Sequence, residues 1–289
     1  MKKNYFTLNT YILFACIFFA CVSSLSAQVK NDFDVRYQDN IRGELTFIAN
    51  NIVNRNEGWG ERPNNPYNTT GSRSSYNDDL NMQYIDIDND GSTFSSSSAV
   101  LSVPDPNCSR IVYAGLYWSA VYTESDRSDF NQVKFKIPGG IYQDITADEV
   151  LFDGYNDSDF GDYGPYACYK DVTSIINTMA NPDGEYVVAN VRASSGSSIR
   201  GGISAGWTMV VVYENPTLPG KYITTFDGYA GVKSEESVDI PYNGFITLPP
   251  PFPVYAKMTV ATLEGDNRIT GDQLSIKANR NATFTTLGN

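Results

Sequence analysis

Two acidic clusters carry the residue types and spacing best suited to chemistry. Asp86, Asp88 and Asp90 alternate and are followed by Gly91. Carboxylates at alternate positions with a glycine after the third can wrap oxygen ligands round calcium, as an EF-hand loop does. Such a loop would also place a bidentate acid at its twelfth position, where this chain has Ser97. The same spacing suits an exposed strand whose Ile85 and Ile87 face a core while Asp86 and Asp88 face water. The second cluster, Asp153, Asp157, Asp159 and Asp162, sits in a Gly- and Tyr-rich stretch. It reads either as a flexible calcium loop or as solvated surface charge. Calcium is the one cofactor these residues suggest.

What is missing narrows the chemistry further. The chain has no histidine, which removes Ser-His-Asp and Cys-His nucleophile systems and the commonest zinc ligand. Carboxylate-only catalysis, as in glycoside hydrolysis, survives that filter. Gly201-Gly202 lacks the GxxxxGK[ST] spacing of a phosphate loop. Tyr113, Tyr117 and Trp118 could stack on sugar rings, but they fall in the most core-like segment of the chain, where large aromatics fill interiors. A Lys–Asn isopeptide bond needs a buried lysine, and Lys134 and Lys136 alternate away from their apolar neighbours.

The first residues read as a secretory signal peptide over 1–27. Lys2 and Lys3 supply the positive start, Tyr11 to Val22 the apolar run, and Ser23 to Ala27 the small, polar end, with cleavage between Ala27 and Gln28. The run is short of the roughly 20 residues a bilayer span needs. Lipid attachment at Cys21 is a further option, though bulky Phe18 and Phe19 suit a lipoprotein site poorly. Loss of Lys2 and Lys3 takes the net charge from −12 to −14. That balance argues against nucleic acid or an anionic membrane as partner. No second long apolar run follows, so the mature chain is expected to lack a transmembrane segment. Processing leaves Cys108 and Cys168, and two cysteines in an oxidising compartment pair more often than not. The expectation is a Cys108–Cys168 disulfide; two free buried thiols are the other reading.

The elements around these residues are strands. Short apolar runs separated by Gly, Pro, Asn, Asp and Ser are strand-and-turn punctuation. Arg110 to Tyr122 and Trp207 to Tyr213 are apolar on both faces and read as central strands. Further strands are expected over Glu44–Ala49, Met82–Asp88, Ala99–Val103, Gln132–Ile137, Ile141–Ile145 and Glu185–Arg192. The series continues with Lys221–Phe226, Ser237–Ile240, Tyr255–Leu263 and Asp272–Ile276. Asn54 to Asp79 reads as a long polar loop. One short helix is expected through Ile175, Ile176 and Met179, capped by Asp171 or Thr173 and stopped at Asn181-Pro182. The sum is all-β: a β-sandwich or jelly roll of about a dozen strands, with residues 28–40 a flexible linker and 41–289 a single domain.

Several segments together resemble the N-terminal domain of very large bacterial surface proteins. Those are adhesin-like chains that carry repeated DUF11- or PKD-type β-sandwich domains and are sorted to the outer membrane by a C-terminal signal. The segments are YIDIDNDGSTFSSSSAVL (84–101), IVYAGLYWSAVY (111–122), YKDVTSIIN (169–177), GEYVVANVRA (184–193), AGWTMVVVYENPTLPGKYITTFDGYAGV (205–232) and EGDNRITGDQLSIKAN (264–279). The resemblance covers about two-thirds of the mature chain and contains no catalytic signature. It implies a secreted β-sandwich at the front of a longer cell-surface protein, contributing to adhesion or surface scaffolding. The partner it implies is an extracellular ligand, a glycan among the candidates. A carbohydrate-binding module and a carboxylate-only glycosidase are the alternatives.

Overall fold

The computed structural model describes residues 28–55, 80–197, 199, 201–232 and 237–244, and from there to the C-terminus only 257–258, 260, 262, 271, 273–278, 281 and 283–288. The expected signal peptide over 1–27, residues 56–79 of the expected polar loop and most of the expected strand Tyr255–Leu263 lie outside them. Among the described residues fourteen strands form four antiparallel sheets, and the fold is all-β and sandwich-like.

In chain order the strands are β1 (Gln28–Asn51), β2 (Val53–Arg55), β3 (Met82–Tyr84), β4 (Ser96–Leu101), β5 (Arg110–Val121), β6 (Gln132–Lys136) and β7 (Gln143–Thr146). They continue as β8 (Glu149–Asp153), β9 (Pro165–Asp171), helix α1 (Thr173–Ile176), β10 (Gly184–Ala189), β11 (Ala205–Glu214), β12 (Gly220–Gly231), β13 (Leu274–Ile276) and β14 (Thr285–Gly288). The main sheet runs β12-β1-β11-β5-β9-β8, and a second sheet runs β4-β10-β6-β7. β2 pairs with β3, and β13 with β14.

The core lies between the two large sheets and follows from strand alternation. From the main sheet Ala114, Leu116, Trp118 and Ala120 of β5 meet Trp207, Met209 and Val211 of β11. From the second sheet come Val133 and Phe135 of β6, Ile145 of β7, and Tyr186 and Val188 of β10. Lys134 points the other way and pairs with Asp144 across the strand, as the alternation of β6 requires. β5 is central as its sequence suggests, yet its alternation is broken once. A bulge pairs Val212 with Tyr113 but Tyr213 with Ile111. The extra residue returns Ile111 to the inner core while Val112 and Tyr113 stay on the outer side.

β1 overturns the expected linker. Residues 28–40 are strand, and they continue without interruption into the expected segment Glu44–Ala49. Its second half, from Gly43 to Asn51, pairs with β11; its first half, from Gln28 to Arg42, pairs with β12. Polar residues fill that first half because its backbone is satisfied by β12, not by burial of side chains. The turn between β11 and β12 is built by Asn215, 1% exposed. Its side-chain oxygen accepts from the Thr217 N–H and hydroxyl, and its own N–H donates to the Arg42 carbonyl at 2.8 Å. The Asn215 carbonyl also accepts the Leu218 N–H at 3.0 Å, which closes the turn.

Other boundaries shift. Asn54 and Arg55, expected in a loop, are buried in β2. β3 ends at Tyr84, so the expected strand Met82–Asp88 breaks before its acids. Ser237–Ile240 forms no strand. β8 and β9 are strands beyond those expected from the sequence. The helix begins where expected but spans only Thr173–Ile176, so Met179 lies beyond it, and Val172 is its N-cap. Thr173 instead accepts the Ala114 N–H of β5, and Asp171 accepts the Thr173 N–H, both at 2.8 Å.

Candidate functional site

The residues with unusual chemistry converge on the outer face of the main sheet, where the paired halves of β1 and β12 form a ribbon against β5, β8 and β9. Three tyrosines line that face: Tyr113 and Tyr117 from β5 and Tyr169 from β9. Tyr113 and Tyr117 are four apart with Gly115 between them. A Cβ on Gly115 would stand 2.3 Å from the Tyr113 hydroxyl, so only glycine leaves room for that phenol.

Over these rings lies Arg36 of the ribbon. Its guanidinium stacks on Tyr169 at 4.2 Å and donates to Asp227 of β12 at 2.7 Å and to Glu149 of β8 at 2.6 Å. Asp227 also accepts the Tyr117 hydroxyl at 2.8 Å, and its side chain is 9% exposed. Tyr37 stacks on Tyr113 at 5.0 Å. Burial, reinforced by neighbouring Tyr113 and Asp227, pushes the Tyr117 phenol far above its ordinary value, so it stays a donor. Burial works against the Arg36 charge, but the bonds to Asp227 and Glu149 outweigh it and hold the guanidinium charged. Two carboxylates bridged by one guanidinium tie β1, β12 and β8 together. That is a clasp.

The expected acidic sites belong to the same kind of construction. In the 153–162 stretch Asp157 and Asp159 both take Lys30 of the ribbon, at 2.8 and 3.0 Å, and Asp153 takes Arg127 at 2.7 Å. Asp157 also accepts the N–H groups of Asp159 and Phe160, closing a turn. Its bond to Lys30 comes first among the causes that hold its carboxyl below the ordinary range. Asp162 is exposed on the turn.

In the other cluster Asp88 accepts the Asp90 N–H at 3.0 Å, the Thr93 hydroxyl at 3.1 Å and the Tyr142 hydroxyl at 2.5 Å. Asp90 accepts the Ser92 N–H at 2.9 Å, and Asp86 accepts the Ser96 hydroxyl at 2.8 Å. Ser97, the residue in place of the twelfth ligand, is buried and accepts the Trp207 indole N–H at 2.9 Å. Among the described residues no three acids or cysteines converge to hold a metal ion. In the structure these carboxylates fasten loops to strands through protein donors.

The expected disulfide is corrected. Cys108 and Cys168 are both free. Cys168 pairs in register with Trp118, ten residues along the chain from Cys108. The eight strand steps from Arg110 to Trp118 alone span about 26 Å at roughly 3.3 Å each, far beyond the ~7 Å a disulfide tolerates. Burial pushes the Cys168 thiol up, so it behaves as an inert core side chain. Trp118 and Tyr113 are 1% and 4% exposed, which removes them as sugar platforms.

Sequence reasoning found Asp157 and Asp159 but not their partner Lys30, and it missed Arg36, Asp227 and Glu149 altogether. Nothing in the residues beside them marks them out, and their separations along the chain carry no periodic signal. Among the described residues no helix is long and apolar enough to cross a membrane. Comparison with protein-family models, curated proteins and solved structures finds no match for this chain.

Proposed function

We propose that this chain is a non-catalytic, extracellular β-sandwich module of a cell-surface protein, contributing to adhesion or surface scaffolding. The observation that carries the reading is the use of its reactive side chains. Arg36, Asp227, Glu149, Lys30 and Asp157 cross-brace strands distant in sequence, as suits a module whose task is to hold its shape. Export rests on the Lys2-Lys3 start, the apolar run to Val22 and the Ser26-Ala27 end. Gln28, the residue that cleavage would expose, already pairs with Gly231 of β12. A net charge of −14 after processing suits a solvated exterior surface and no nucleic-acid partner.

The test is surface biotinylation of intact producing cells followed by N-terminal sequencing of the labelled protein. The reading requires label on the protein and Gln28 at its start. An unlabelled, cytosolic product beginning at Met1 would overturn it.

A further inference from the structure

We infer that the ribbon formed by β12 and residues 28–42 of β1 is a strap that opens as a unit from the outer face of the main sheet while the sandwich beneath stays folded. Four independent features of the ribbon point there.

The first is its thin apolar attachment. Of the large hydrophobic side chains in the strap, only Ile41 and Ile223 are buried, both beside its junction with β11, whereas Val29 and Val35 towards the free end are 38% and 43% exposed. The second is its irregular pairing. The β1–β12 register slips between Val29 and Asn31, between Asn31 and Asp34, and between Val35 and Tyr37. The same β1 pairs with β11 from Gly43 to Asn51 without a slip. Each bulge forfeits a ladder bond, so cohesion falls where the strand leaves the sandwich.

The third is incomplete polar satisfaction. The Tyr37 hydroxyl and the Thr224 hydroxyl are buried without a hydrogen-bond partner, both within the strap. Opening would hydrate them, which lowers its cost. The fourth is that polar and aromatic contacts hold the strap's far half down at discrete points. These are Lys30 on Asp157 and Asp159, Arg36 on Glu149, the Asn31 side-chain amide on the Leu151 carbonyl, and Tyr229 stacked on Phe152 at 4.2 Å. Salt and water compete with such contacts far better than with a continuous apolar seam. Local opening free energies span a wide range within one protein, and a low one goes with few buried apolar contacts. The hinge falls at Arg42 and Gly43, where β1 changes partner from β12 to β11. A Cβ on Gly43 would stand 2.0 Å from the Tyr213 carbonyl oxygen, so the junction is pinned to β11. What opening uncovers is the tyrosine-lined face of Tyr113, Tyr117 and Tyr169.

Hydrogen exchange followed by mass spectrometry on the processed chain tests this, at low and at 0.5 M salt. Peptides from 28–42 and 220–231 should exchange together, at least tenfold faster than those from 111–121 and 205–213, and faster still in salt. Arg36→Met and Lys30→Met should accelerate the strap by a further several-fold and leave β5 and β11 unchanged. Glu214→Gln, which breaks the exposed Arg110–Glu214 pair of the main sheet, should leave the strap unchanged. Exchange of strap and sandwich at one common rate would overturn the inference. So would acceleration of both regions alike in the Arg36→Met and Lys30→Met proteins. Were one of those variants to lose its fold, the salt comparison on the parent chain still decides.

Discussion

The two faces of the main sheet are built from the same strands and held by different forces. On the inner face Trp118, Leu116, Met209 and Val211 meet a second sheet that is equally apolar, and the contact is continuous. On the outer face Tyr113, Tyr117 and Tyr169 meet a ribbon whose grip depends on Arg36, Lys30 and their acids. Apolar burial is non-directional and adds up over area. A clasp of ions and phenols depends on a few atoms in place, and each buried polar atom left without a partner weakens it. One face therefore supplies stability and the other supplies placement. Sequence alternation along β5 does not separate them, because tyrosine is apolar enough to look like core on either side.

The largest expected effect lies on the inner face. Trp118 is 1% exposed, packs between Trp207 and Cys168 in register, and donates its indole N–H to the Phe130 carbonyl at 3.0 Å. Trp118→Ala should destabilise the protein by about 3–5 kcal/mol in urea unfolding, through lost burial and the cavity left behind. A loss below about 1 kcal/mol would mean that the inner seam does not carry the fold. Gly115→Ala probes the outer face and should cost about 1–3 kcal/mol by overpacking. The new methyl meets the Tyr113 hydroxyl first, so Tyr113→Phe in the same chain should recover part of that loss. A double variant no more stable than Gly115→Ala alone would break the assignment of the clash to the phenol oxygen.

The inner face was legible in the sequence because burial leaves a period. Gln132–Ile137, Arg110–Tyr122 and Trp207–Tyr213 are all strands in the fold, and the lysines of β6 point where alternation sends them. The outer face was not, for a physical reason that Arg36 and Asp227 make plain. They meet through bonds of fixed geometry across 191 positions of chain, and nothing local in either segment marks the encounter. The linker reading of 28–40 failed the same way: a strand satisfied by its partner's backbone needs no apolar stripe. The DxDxDG stretch is ambiguous in the opposite direction. Its spacing is shared by calcium loops and by turns in which aspartates accept N–H groups two residues on, as Asp88 and Asp90 do here.

A smaller effect should separate the faces by pH. Asp157 is held below its ordinary value of 3.8, first by its bond to Lys30, and Lys30 is raised above 10.5, first by Asp157. The lowered carboxyl contributes stability that is present above the unfolded value and is lost as pH falls through the folded one. The raised amine contributes stability that is present below 10.5 and is lost as pH rises beyond its folded value. The pair therefore holds the ribbon between those limits. As a partly exposed ion pair it should be worth about 1 kcal/mol or less. Exchange of the 28–42 amides, corrected for intrinsic rates, should quicken as pH drops below about 4 in the parent chain. Lys30→Met should flatten that dependence, and an unchanged profile in the variant would remove the pair from the account.

The smallest effect on stability, and the sharpest contrast in kinetics, belongs to the two thiols. Cys108 sits exposed in the turn before β5, its pKa raised by a bond to Asp105. Cys168 is fully buried on the inner face opposite Trp118. Cys108→Ser should leave stability within about 0.5 kcal/mol, as for other surface changes. Alkylation of the native chain should label Cys108 readily at alkaline pH and leave Cys168 untouched. Reagent can reach Cys168 only when the inner seam parts, which in a domain of ordinary stability occurs less than about a thousandth of the time. Protection of Cys168 should therefore exceed that of Cys108 by roughly a thousandfold, and Trp118→Ala should erase most of the difference. Arg36→Met, which loosens only the strap, should leave it intact. Labelling of Cys168 that quickens with Arg36→Met would mean that the two faces open together, and the division between a seam that stabilises and a clasp that places would fail.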